Sequence, residues 1–127
     1  MFGSEGVAVH VLEPVLGDVL STPGVSGAAV IDSVTGLSYA EAGDCTAAGS
    51  GNDICDLVNL ISDRLRDAGA EGELESVVVT GTRTHHIVQV VPRRGDAVLL
   101  STVLDRRGSN LALAMRGLAD GVRTLLG

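Results

Sequence analysis

Between Glu75 and Leu104 the chain reads as three branched, apolar runs separated by two short turns, and this stretch constrains the fold more than any other. "ESVVVTG" (75–81) is continuously branched, "RTHHIVQVVP" (83–92) follows after the short turn at Gly81, and "DAVLLSTVL" (96–104) returns after "PRRG". Branched residues favour extended backbone, and glycine and proline break it, so the stretch predicts three strands in an antiparallel meander. Within it, His85 and His86 are adjacent and Arg93 and Arg94 follow at a turn, a grouping that resembles a catalytic cluster. Neighbouring side chains on a strand point to opposite faces. The two histidines therefore cannot ligate one metal or act on one atom without a bulge, and the stretch is read as sheet, with one histidine satisfied locally and the other at the surface.

The segments around the meander supply the remaining elements. Leu12, Val15, Leu16, Val19 and Leu20 are spaced as one helical stripe that ends at "STPG". Pro14 fits this helix only if the helix begins just before it, because proline belongs in a first turn. Residues 26–42 read as a hairpin: "GAAVID" is apolar on both faces, "SVTG" turns, and "LSYAEAG" alternates. The first of these strands is expected to be central and the second nearer an edge. "DCTAAGSGN" (44–52) is small and polar and is expected to be a mobile loop. It leads into a helix with a stripe of Ile54, Leu57, Val58, Ile61, Leu65 and Ala68, capped by Asn52 or Asp53, closed by Gly69, and weakly supported on its exposed side by Arg64 and Asp67. Leu60 lies off that stripe, so it is either exposed or covered by something outside the subunit. A last helix opens at Ser109 or Asn110 and carries Leu111, Met115, Leu118, Val122 and Leu125 on one face, with Gly117 and Gly121 four apart. The order α-β-β-α-β-β-β-α predicts an α+β architecture in which helices cover both faces of a five-stranded antiparallel sheet. With no repeat and no linker, residues 1–127 are expected to form a single domain.

Composition removes several functions. The core must be aliphatic, since 45% of residues are hydrophobic but there is one Phe, one Tyr and no Trp. A net charge of −7 repels phosphate backbones and anionic lipid, so neither nucleic acid nor membrane is an expected partner. All nine cations are arginine, which excludes a GxxxxGK[ST] phosphate loop and any lysine-based covalent or general-base chemistry. No apolar stretch approaches the roughly 18 residues needed to span a bilayer. "MFGSEGVAVHVLEP" has no basic leader and carries acids, so the expectation is a soluble, cytoplasmic protein.

Site by site, the residues offer little chemistry. Cys45 and Cys55 are read as free thiols. Cys55, placed in a first helical turn between Asp53 and Asp56, feels the dipole and the acids in opposite senses. A zinc site needs three or four convergent ligands, and the three histidines show no CxxC or HxxxH spacing. No GxSxG elbow is present, and "GSGNDI" offers only the first two glycines of a dinucleotide turn. Arg83, Arg93, Arg94, Arg106 and Arg107 lie near turns, where an arginine is usually solvated rather than a finger for phosphoryl transfer. No catalytic residue, metal or cofactor is expected.

The hairpin "GAAVIDSVTGLSYAEAG", the pair "ESVVVTGTRTHHIVQVVP" and the junction "LLSTVLDRRGSNLALAMRGL", with Asp105, Asn110 and Leu111 at the strand-to-helix step, resemble the roadblock/dynein light-chain family. The resemblance covers residues 12–126. This chain departs from that pattern in Pro14, which is expected to shorten the first helix, and in having no long tail beyond the last helix. The resemblance implies a homodimer joined through the third strand (Ser76, Val77, Val78, Val79, Thr80), with second helices side by side and Leu60 between them. It further implies a non-catalytic platform that binds and regulates a Ras-like small GTPase in bacterial signalling, using Asp56, Asn59, Asp63 and the 44–52 loop. An adaptor for a sensor-kinase-like protein, without effect on nucleotide turnover, is the alternative.

Overall fold

In a computed structural model, residues 9–93 and 97–126 are described. The elements are α1 (Val9–Leu20), β1 (Val25–Asp32), β2 (Ser38–Gly43), α2 (Gly51–Asp67), β3 (Ser76–Thr80), β4 (Thr84–Val91), β5 (Val98–Asp105) and α3 (Leu111–Leu126). The strands form one antiparallel sheet in the order β2-β1-β5-β4-β3, so the meander is present and β1 joins it beside β5. β5 is the middle strand and is buried from Val98 to Leu104, Ser101 and Thr102 included, as a strand with neighbours on both sides and helices on both faces must be. β2 and β3 are the two edges. The turn residues 94–96 lie outside the described set.

Alternation along the strands divides the core in two. Val30, Ile87, Val91, Leu100 and Leu104 face α1 and α3, where Leu12, Val15, Leu16, Val19, Ala114, Leu118 and Leu125 close over them. Ala29, Ile31, Val88 and Leu99 face the other way, against Ile54, Cys55 and Val58 of α2. Helices thus cover both faces, two on one and one on the other.

Several local expectations need correction. α1 begins five residues before Pro14 rather than just before it, so Pro14 does not confine the helix to its own first turn. Interior proline costs about 3 kcal/mol, whereas four buried aliphatic side chains, Leu12, Val15, Leu16 and Val19, contribute about 1.5–3 kcal/mol each. Packing outweighs the missing hydrogen bond, and exposed Pro14 disturbs only the solvent side. α2 is capped not by Asn52 or Asp53 but by Ser50. The Ser50 hydroxyl accepts from the Asp53 N–H at 3.1 Å, and the Asp53 carboxylate accepts from the Ser50 N–H at 3.0 Å. This reciprocal Ser-x-x-acid box satisfies two otherwise unpaired donors. The exposed ion pair on α2 is Asp63 with Arg66, at 3.2 Å, rather than Arg64 with Asp67.

The 44–52 segment adopts a defined turn. Thr46–Ala48 form one 3₁₀ turn, Thr46 N–H donates to Asp44 Oδ1 at 3.0 Å, and Cys45 and Ala48 pack on the α2 side of the sheet. On α3, Asn110 is the cap, its Oδ1 accepting from Leu113 N–H at 3.1 Å. Gly121 of α3 sits over Val15 and Val19 of α1, which makes it the closer approach of the glycine pair.

Candidate functional site

The histidine pair resolves as strand geometry dictates. His86 is half-buried on the α2 side and shares a 2.8 Å hydrogen bond between its Nε2 and Ser101 Oγ; His85, on the opposite side, pairs its Nδ1 with Thr80 Oγ1 at 2.8 Å. Burial holds the His86 pKa below its usual value, which keeps the ring neutral. The thiols are separate too. Burial, then the charges of Glu41 and Asp44, push Cys45 up; burial, then Asp32 and Asp56, push Cys55 up. Cys55 falls in the second turn of α2, because the helix starts at Gly51, and its Sγ donates to the Asp32 carbonyl at 3.3 Å. Desolvation therefore tips the expected balance at Cys55 toward the protonated thiol. Among the described residues no three His, Cys, Asp or Glu side chains converge as metal ligands, and no helix is long and apolar enough to cross a membrane.

Surfaces carry more information than clusters. On α2 the buried side chains are Ile54, Cys55 and Val58. Leu57 and Ile61 are half-buried, Leu65 is 41% exposed and Ala68 is exposed, so the second half of the expected stripe is unfilled. Beneath it lies a cleft of about 680 Å³, with Val58, Leu65, Leu74, Val90 and Leu99 on its walls. Leu60 is 52% exposed. At about 100° per residue it is about 40° from Asp56 and about 60° from Asp63. All three share the outward surface of the helix, and Asn59 stands at the rim of the cleft.

β3 is the other exposed feature. Val77 is buried against Val88, but Val78 and Val79 are 40% and 43% exposed, Ser76 is half-buried and Thr80 exposed. Two hydrogen bonds set the phase of its ladder with β4: Gly81 N–H to the Thr84 carbonyl at 2.9 Å, and Val90 N–H to the Glu75 carbonyl at 2.8 Å. Hydrogen-bonded pairs alternate along an antiparallel ladder. Glu75, Val77, Val79 and Gly81 are thus the residues turned toward β4, and Ser76, Val78 and Thr80 direct their N–H and C=O groups to the open edge. The sequence gives the branching of β3 but not this phase, which depends on where the β3–β4 turn closes.

A second cleft of about 680 Å³ lies between this edge and α3, bordered by Ser76, Met115, Val122 and Leu126. Gln89 at its floor is 9% exposed and its Oε1 has no partner.

A five-stranded antiparallel sheet in this order, with two helices on one face and one on the other, is the roadblock/LC7 fold. Among solved structures, the chain is similar to Myxococcus xanthus MglB, with a TM-score of 0.78 at 16% identity over 93% of this chain and 86% of that one. An MglB in a tetrameric arrangement superposes with a TM-score of 0.69 at 21% identity, over 92% of this chain and 85% of that one. The roadblock/LC7 domain from Streptomyces avermitilis gives 0.67 at 20% identity, over 85% and 88%. No family model and no curated protein matches the sequence.

Proposed function

We propose that this chain is a non-catalytic platform that works as a homodimer and binds and regulates a Ras-like small GTPase. The observation that carries the reading is the open edge of β3, where Ser76, Val78 and Thr80 offer unpaired backbone groups beside exposed Val78 and Val79. An edge of this kind is an aggregation hazard unless it is paired, and pairing with its own copy closes it by symmetry. Two copies joined there bring their α2 helices near the twofold axis, where Leu60 gains a counterpart. The self-association of a similar fold in the tetrameric MglB supports the same reading. The shared α2 surface of Asp56, Asn59 and Asp63, with the 44–52 turn beside it, is the partner-binding region in this proposal. Asp56, Asn59 and Asp63 present carboxylates and an amide; Arg66 is engaged by Asp63, and exposed Arg64 lies about 80–100° around the helix from the two acids. In this proposal the platform orders the GTPase's own switch residues instead of supplying a finger.

The test is to mix the purified protein with a Ras-like small GTPase from the same organism, loaded with GDP or a GTP analogue. A nucleotide-dependent complex that changes hydrolysis or exchange is the expected result. A complex with a sensor-kinase-like protein, indifferent to nucleotide, would favour the adaptor alternative. No complex and unchanged turnover would refute the GTPase reading.

A further inference from the structure

The two ends of β3 carry opposite charge. Glu71, Glu73 and Glu75 lead into the strand, whereas Arg83 follows it and Arg106 and Arg107, from the turn after β5, stand beside Arg83. Arg106 is tied to that corner: its guanidinium donates to the Gly81 carbonyl at 3.0 Å and its N–H to the Arg83 carbonyl at 2.9 Å. All six side chains are exposed. Among the described residues the ion pairs are Asp63–Arg66 and Asp120–Arg123, so none of the six has an ionic partner among them. Asp105 tempers the arginine end and Arg93 the acidic end, while Arg123 at the acidic end is engaged by Asp120. Each end keeps its sign.

Antiparallel pairing of two copies places the beginning of one β3 beside the end of the other. The groups free to bond across this edge belong to Ser76, Val78 and Thr80, and the register that uses all of them sets Val78 opposite Val78 and Ser76 opposite Thr80. That register makes about six intersubunit hydrogen bonds, two per bonded pair. Counting outward, Glu75 of one copy falls opposite Gly81 of the other, whose carbonyl holds Arg106; Arg83, in the turn that Gly81 and Thr84 close, lies at that same end, and Glu73 lies just before Glu75. Diagonal neighbours across such a ladder are ~7–8 Å apart at Cα, within reach of Glu and Arg side chains.

Resting on the homodimer reading, we propose that the occupant of the β3 edge is a second copy of this chain, joined in the Val78-centred register by the backbone groups of Ser76, Val78 and Thr80 and held antiparallel by a charge clamp at each end, Glu73 and Glu75 of one copy facing Arg83 and Arg106 of the other. Complementary charge acts mainly on strand direction and partner choice, because a parallel alignment of the two edges brings like charges together. The clamp therefore selects the chain's own copy over a paralogue that lacks the same polarity.

A charge-swap experiment tests this. One variant carries Glu73→Arg and Glu75→Arg, the other Arg83→Glu and Arg106→Glu; circular dichroism verifies that both keep the fold, as expected for exposed positions. Sedimentation at low salt should show wild type as a dimer and each variant alone weakened about 10- to 100-fold in Kd, as several exposed ion pairs become repulsions. An equimolar mixture should restore dimerisation as a heterodimer, and the wild-type Kd should rise several-fold between 0.05 and 0.5 M salt as the charges are screened. A wild-type chain that stays monomeric overturns the homodimer reading and this one with it. A wild-type dimer whose variants self-associate equally well, with no preference on mixing, overturns the clamp and leaves the dimer standing.

Discussion

The phase of the β3 ladder makes neighbouring residues respond in opposite ways to the same substitution. Proline lacks an N–H donor, and on a strand the consequence depends on where that N–H points. At Val78 it points away from β4, so Val78→Pro should leave the ladder within the chain whole. The residue before it, Val77, is already extended, which suits the position before proline. Across the proposed dimer, however, Val78 lies on the axis, and its replacement removes two hydrogen bonds at once. At about 1 kcal/mol net each, with up to about 1.5 kcal/mol more for each of the two carbonyls left unpaired if the joint still forms, the loss is about 2–5 kcal/mol. That corresponds to a Kd raised from about 30-fold to several thousandfold. At Val79 the N–H faces His86 on β4; Val79→Pro removes that ladder hydrogen bond and leaves the His86 carbonyl unpaired, and should cost the subunit about 2–4 kcal/mol. Sedimentation equilibrium measures the first effect and thermal melting the second. Val78→Pro should be monomeric and melt above Val79→Pro. A Val78→Pro protein that dimerises as wild type, or melts no higher than Val79→Pro, would refute the assignment of the open edge.

Other consequences can be checked more briefly. Gly121 lies in the interior of α3 with room for a methyl group, whose nearest neighbours would be Val15, Val19 and Leu100 at 3.5–3.7 Å; Gly121→Ala should stabilise by about 1 kcal/mol, seen as a higher midpoint in urea. By contrast, a Cβ on Gly51 would overlap the Gly36 carbonyl oxygen where the hairpin meets the start of α2, so Gly51→Ala should lower stability by about 1–3 kcal/mol in the same assay. The pH dependence follows from two signs. His86 has a lowered folded pKa, so the unfolded chain takes up the proton first, and stability falls as pH drops below about 6.5; His86→Gln should flatten that limb. Cys45 and Cys55 have raised folded pKa values, so stability also falls as pH rises above about 8.5, where unfolded thiols ionise first; Cys55→Ser should shrink that limb in melts taken from pH 7 to 10.

Much of this architecture is written locally. The branched runs from Glu75 to Leu104, the stripes at Leu12–Val19 and Leu111–Leu125, and the glycine-bearing turns dictate each element's type, because strand and helix periodicities depend on near neighbours alone. The same local logic separates His85 from His86. The Ser50-x-x-Asp53 box was equally readable and is the signal that would have started α2 at Gly51.

Other features needed contacts between distant segments. That β1 lies beside β5, with Gly27 opposite Val103 and Asp32 opposite Val98, is a pairing no local pattern encodes. It makes β5 central and leaves β3 at an edge. Pro14 is accommodated for the same reason, since its cost is local but the burial that offsets it comes from the sheet and α3. The apolar stripe of α2 likewise announced more burial than the sheet provides, because periodicity reports which residues share a face and not how far that face stays in contact. Sequence by itself determined the elements and the polarity of charge around β3. Tertiary structure alone decided which strand was left open and which of its backbone groups point outward, since both depend on long-range pairing and on the residue at which a turn closes.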